Sequence, residues 1–282
     1  MTAVMTEQVR PRAERSPRRQ AGLAGTVRSE FTKIFSVRST YWTLVILVAA
    51  GMAWSIADCA GTAHHWAQMS AQVRSGQDTT QDSLLGLVLL GQLVVVVLGA
   101  LAITSEYSTH AIRTSLTVMP RRGVFFTAKG VVFAAVAAVF AFATSFIAFF
   151  VGQALLASTH AGSTLSEPGV LSAVTATALV VVIAGLFTYG IGCAVRSTAG
   201  TITAVYGLLF LVPRLAPALP TPWYNDVVRW IPGGQFDGVV SSKFGAANTP
   251  HMFGVWGEVA VFAGYAVVAL ALGAWAMHRR DA

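Results

Sequence analysis

The sequence predicts an all-α membrane protein: six transmembrane helices, an amino-terminal amphipathic interfacial helix, and both termini in the cytoplasm. Three observations carry that expectation. The chain is 55% hydrophobic and 11% charged, whereas soluble domains carry about a quarter charged residues. Most of its apolar runs reach the roughly 18 residues that a hydrocarbon core demands. Its basic residues gather on alternate connecting segments, which fixes sidedness rather than nucleic-acid binding.

Residues 1–22 hold Arg10, Arg12, Arg15, Arg18 and Arg19 around Pro11 and Pro17. That composition reads as a disordered basic cytoplasmic tail that meets anionic lipid. It is not a secretory signal, because the first apolar run starts too late and is too long. Residues 23–282 then form one transmembrane domain. Leu23, Val27, Phe31 and Ile34 recur at helical spacing, with Arg28, Ser29, Thr32, Lys33 and Ser36 largely opposite. This is an amphipathic helix lying in the membrane interface.

The six spans run approximately 41–60, 83–104, 124–156, 170–194, 198–212 and 252–277. The third is longer than a bilayer needs, and Val124 to Lys129 sit at its interfacial edge. The fifth is short, and Pro213 and Pro217 are read as its end. With the amino terminus inside, inner segments hold fifteen Lys and Arg and outer segments four. The positive-inside rule therefore favours two cytoplasmic termini. Arg outnumbers Lys 16 to 3, a bias that, with abundant Ala, Gly and Val, points to a GC-rich bacterium and its cell membrane. In the long outer segment Trp223, Val227, Trp230 and Ile231 share a helical face, which predicts a short interfacial helix that Pro232-Gly233-Gly234 ends. Cys59 and Cys193 fall at opposite ends of their spans, too far apart for a disulfide.

The residues that carry enzyme chemistry are not arranged for it. A phosphate-cradling loop needs glycine before its lysine, but the lysines follow Thr32, Ala128 and Ser242. The acids are scattered, Asp78 and Asp82 being the nearest pair, with Asp58 upstream. His64-His65, His160 and His251 lack the i, i+4 spacing of a helical metal site and read as solvated loop residues. No catalytic residue, metal or cofactor is expected. Polar residues inside spans are costly and mark possible substrate paths. Gln92, Tyr189, Tyr206 and Glu258 are the candidates. Glu258 either lines a path or, if the sixth span starts later, is solvated near the outer interface.

The connection between the second and third spans has a shape of its own. The apolar pattern breaks at Ser105-Glu106. Ile112, Leu116 and Met119 then fall on one face of a short helix, with Arg113, Thr114 and Thr117 elsewhere. Arg121, Arg122 and Lys129 surround the return. Positive-inside residues explain the arginines but not the amphipathic segment or the Glu106 break, so the stretch reads as a docking surface. Its apolar face packs either under the chain's own spans or in a groove on a partner. Glu106 is placed to pair with Lys129 or an arginine across the hairpin. Read as an exposed pair, it contributes only about 0–1 kcal/mol and matters through geometry.

Those residues carry a resemblance. Ser105-Glu106-Tyr107, Ile112-Arg113-Thr114-Ser115-Leu116, Met119-Pro120-Arg121-Arg122 and Lys129 resemble the loop between spans two and three of ABC-2 type transporter permeases. That loop reads approximately SEY…GTI..TL…P.R……K. Ser29-Glu30-Phe31-Thr32-Lys33 with Val37-Arg38-Ser39-Thr40 resembles the family's elbow segment. Arg196-Ser197-Thr198-Ala199-Gly200 resembles its turn between spans four and five, and Trp230-Ile231-Pro232-Gly233 a WLPG-like stretch before span six. His110-Ala111 stands where the family often has Gly-Thr. The resemblance implies a permease subunit that pairs with a second copy or paralogue, sits among membrane lipid, binds no nucleic acid, and docks a separate cytoplasmic ATPase that drives transport, usually outward. Glu106, Ile112, Arg113, Leu116, Met119, Arg121 and Arg122 would be the coupling residues. The rival reading is a polytopic membrane protein without a motor, such as a passive transporter or a structural membrane subunit.

Overall fold

The computed structural model describes residues 23–36, 38–109, 122–231, 236–243 and 253–279. Among these there is no strand. α1 (Leu23–Ser36) leads into α2 (Arg38–His65), and after a short α3 (Ala71–Gly76) the chain re-enters as α4 (Thr79–Gly86). A π-turn at Leu87–Gly91 joins α4 to α5 (Gln92–Ser108). α6 (Arg122–Leu156) and α7 (Val170–Val195) are uninterrupted. α8 (Thr198–Tyr206) passes through a second π-turn, Gly207–Leu211, into α9 (Val212–Leu215). Short α10 (Thr221–Val227) and α11 (Phe236–Val239) precede α12 (Val255–Arg279).

Among the described residues six helical stretches are long and apolar enough to cross a membrane: Tyr41–Gln68, Thr79–Ser108, Arg122–Thr159, Val170–Val195, Thr198–Ala218 and Val255–Arg279. This is the architecture of a multi-pass membrane protein, with one long apolar helical stretch over each of the six apolar runs. Two helix ends differ from the expected ones, and the first stretch runs on to Gln68 rather than ending near residue 60. Span five does not stop at Pro213, which lies inside α9, and helix continues to Ala218. A proline within a helix removes one backbone donor and crowds the preceding turn. The π-turn at Gly207–Leu211 lies immediately before it, where the α-helical ladder is already interrupted.

Span four is the axis. Its sequence is apolar on every side, the mark of a buried helix, and it packs against spans two, three and six. In lipid, helices associate through close packing at small residues rather than through expulsion of water. Two seams show this. A Cβ on Gly99 of span two would stand 2.6 Å from the Gly185 carbonyl oxygen of span four, and one on Gly190 would stand 2.5 Å from the Ala269 carbonyl carbon of span six.

Alternating spans give the bundle two ends. The base carries α1, the exit of span two, the entry of span three, the span-four-to-five turn and the end of span six. The cap carries the remaining connections. Cys59 is buried near the cap, its Sγ 3.4 Å from Ser83 Oγ, and Cys193 lies in the apolar cluster at the base with Tyr189 and Met277. Trp223, Val227 and Trp230 face outward together while Val228 faces in. The basic tail at 1–22 and the segment holding Ile112, Arg113, Leu116, Met119 and Arg121 lie outside the described residues, as do Pro232 to Gln235.

Candidate functional site

At the base, three segments of the chain meet on one ammonium group. Lys129 stands two turns into α6, on the face that also carries the buried Phe125, Phe126, Val132 and Phe133. Its Nζ donates to Glu106 Oε1 at 2.7 Å and to Glu30 Oε2 at 2.7 Å. Glu106 ends the second span and Glu30 comes from α1. Lys129 and Glu106 are each 8% exposed and Glu30 2%. The ammonium also lies 5.6 Å from the Phe125 ring centroid. Charges taken out of water this far need short, well-aimed partners to offset their lost hydration, and the lysine has two.

The pairing of Glu106 with Lys129 across the hairpin is the one expected from the sequence, but its setting is not. The expectation of an exposed, energetically minor pair is overturned by burial. Phe125, which the ammonium meets, belongs to an apolar cluster drawn from α5, α6, α7 and α12, with Ile103, Phe126, Tyr189 and Met277. A buried ion pair loses several kcal/mol when one partner is removed, so Glu106 carries stability as well as geometry.

Two arginines extend the site toward span six. Arg122, the first residue of α6, donates from Nη1 to the Met277 carbonyl at 2.9 Å. Arg196 donates from Nη2 to the Ala276 carbonyl at 3.4 Å and its guanidinium stacks 5.0 Å from the Tyr107 ring. Cations at a helix carboxyl end meet both its unsatisfied carbonyls and the negative pole of its dipole. Arg196 itself sits in a left-handed turn, φ 61°, and Ser197 caps α8 by accepting from Gly200 N–H. Thr104 and Thr198 hydroxyls lie 2.7 Å apart, tying span two to span five.

The four polar residues read as a substrate path do not form one cluster. Tyr189 is at the base, fully buried, its hydroxyl donating to the Phe126 carbonyl at 3.0 Å. Glu258 is at the cap, in the first turn of α12. It is 7% exposed and accepts from Phe253 N–H at 3.2 Å, so it is both at a helix end and buried. Only Gln92 and Tyr206 come near each other. The Tyr206 hydroxyl donates to the carbonyl of Leu93, the residue after Gln92, at 2.5 Å. The Gln92 amide is fully buried and has no hydrogen-bond partner among the described residues.

Sequence reasoning passed over Glu30 as a member of the ion cluster. Counting the stripe as Leu23, Val27, Phe31 and Ile34 left Glu30 among the polar residues. Val27 and Glu30 are equally a helical i, i+3 pair, and in α1 Val27 is half-buried and Glu30 buried. Phe31 is 52% exposed while Glu30 is buried. An acid flanked at helical spacing by apolar residues was the available signal. No family model matches this chain, and no curated protein matches it.

Proposed function

We propose that the chain is the permease subunit of an ATP-driven ABC-2 type transporter, forming the pathway with a second copy or paralogue and docking a separate cytoplasmic ATPase at its base. One observation carries the reading. Lys129 joins Glu30 and Glu106 within 2.7 Å each. Those three residues belong to separate stretches that each resemble the family: the elbow, the end of span two and the start of span three. A push on the segment between Ser108 and Arg122 acts on the ends of both spans, and through Lys129 on α1. The ATPase would bias the bundle by contacting this segment differently in its ATP-bound and ATP-free states. ATP hydrolysis belongs to the partner, and the chain supplies the pathway and the lever. Export is the direction the resemblance implies, and cytoplasmic termini in a bacterial cell membrane are part of the proposal.

The test is co-expression with an ATPase encoded by a neighbouring reading frame. The expected result is co-purification and faster ATP hydrolysis in the complex than in the ATPase alone. Glu106→Gln, compared at matched stoichiometry and matched folded fraction, is expected to lower that stimulation. If no ATPase is retained by the wild-type chain, the motor-free membrane protein takes the place of this reading.

A further inference from the structure

The cap end holds a carboxylate to which the sequence gives no role. Asp78 is 8% exposed. It accepts from the backbone N–H groups of Thr80 and Gln81, at 3.1 and 3.4 Å, and so caps α4. It also accepts from Ser241 Oγ at 2.6 Å, Ser242 Oγ at 3.0 Å and Lys243 N–H at 3.3 Å. These three donors lie more than 160 residues along the chain. Lys243 adds its own bonds, from Nζ to the carbonyls of Ser75 at 3.1 Å and Gln77 at 2.6 Å.

The segment that brings these donors is apolar toward the bundle. Phe236, Val239 and Val240 are buried. The Phe236 ring meets Phe262 of span six at 5.5 Å, and Phe262 lies 6.2 Å from Phe187 of span four. At the start of span four the Ser242 carbonyl rests on Gly169, where φ is 84° and a Cβ would stand 2.2 Å from that oxygen. Residues 236–243 therefore touch spans two, four and six at one end of the bundle.

We propose that residues 236–243 are a strap closing the cap end, and that Asp78 is its latch. The distribution of bonds on Asp78 makes the closure reversible. When the strap lifts, the two backbone bonds that cap α4 remain, and water replaces the serine hydroxyls. Release then leaves no bare buried charge. Asp82, one turn further on, is different. It accepts from Thr62 Oγ1 and from Gln77 Nε2, and meets the strap only through Gln77, whose carbonyl accepts from Lys243 Nζ. As the seal of a transport pathway the strap rests on the permease reading above. As a closure it does not.

The experiment uses the full chain in open membrane fragments, with Cys59 and Cys193 replaced by alanine and Val240→Cys as reporter. Val240 is fully buried, so a charged thiol reagent reaches it only when the strap lifts. Ser241→Ala with Ser242→Ala removes strap donors without touching the α4 cap. The expected result is labelling roughly tenfold faster or more, since each ~1.4 kcal/mol lost multiplies the open population by about ten. Asp78→Asn is expected to accelerate it too, and Asp82→Asn, which bears on the strap only through Gln77, to accelerate it less. Equal rates in the double serine variant and its parent would overturn the latch, as would equal acceleration by Asp82→Asn. Because the readout involves neither ATPase nor transported molecule, loss of the permease reading would leave these outcomes interpretable.

Discussion

Lys129 is the residue on which most depends. Its two partners are carboxylates, so the three groups carry one positive and two negative charges. Removing either acid leaves the other bond to the ammonium in place, whereas removing the lysine breaks both at once. The substitutions should therefore differ in severity. Lys129→Met is expected to destabilise by about 3–5 kcal/mol, and Glu106→Gln by about 1–3 kcal/mol, since the amide keeps an oxygen for the ammonium. Thermal unfolding of the detergent-solubilised protein reads the order, and equal midpoints would show that the cluster does not hold the base together. At this scale the sequence was half legible. The break at Ser105-Glu106 in an apolar run pointed to a pair across the hairpin. Burial did not show, because hydropathy marks where a charge interrupts a run but not what packs over it. Tyr206 and Gln92 illustrate the same limit. Their positions in mid-span are plain from the letters, while the hydroxyl of Tyr206 on Leu93 depends on two helices meeting at one level.

Among the elements, span four and its glycine seams govern the packing. Gly190 sits against the backbone of span six, which cannot move as a side-chain tip can. Gly190→Ala is expected to cost about 1–3 kcal/mol by forcing the two helices apart. Gly264, on span six itself, has open space where a Cβ would stand, and Gly264→Ala is expected to be near neutral. Midpoints that fall equally for the two variants would refute the seam. The spans themselves were legible because the rule behind them is simple: a polar backbone in lipid must satisfy itself, and only long apolar helices do so. The two π-turns were not, because Leu87–Gly91 and Gly207–Leu211 contain residues that an α-helix accepts equally well. Span five therefore looked shorter than it is, Pro213 being taken as a stop where the helix runs on.

For the whole molecule, sidedness is the open quantity that labelling decides directly. Ser75, near the cap, and Ser108, at the base, are both exposed, and both native cysteines are buried. The distribution of basic residues leads to a specific outcome. Ser75→Cys should react with an impermeant thiol reagent in intact cells, and Ser108→Cys only after the cells are opened; the reverse pattern would invert the bundle. The clamp that Arg122 and Arg196 place on the end of span six has a consequence for how the protein is made. The two guanidiniums and the Gly190 seam are synthesised before their partners, so five spans can enter the membrane while the contact surface for the sixth stands open. In the finished bundle span four is 67% buried across its apolar window, and part of that cover arrives only with α12. A nascent chain is thus recognisably unfinished until Ala276 and Met277 reach the waiting arginines, and that difference is one a membrane protease can read. Chains truncated before Val255 should insert but be cleared faster than full-length chains in a pulse-chase, with Arg122→Gln plus Arg196→Gln shortening the lifetime of the intact chain in the same direction.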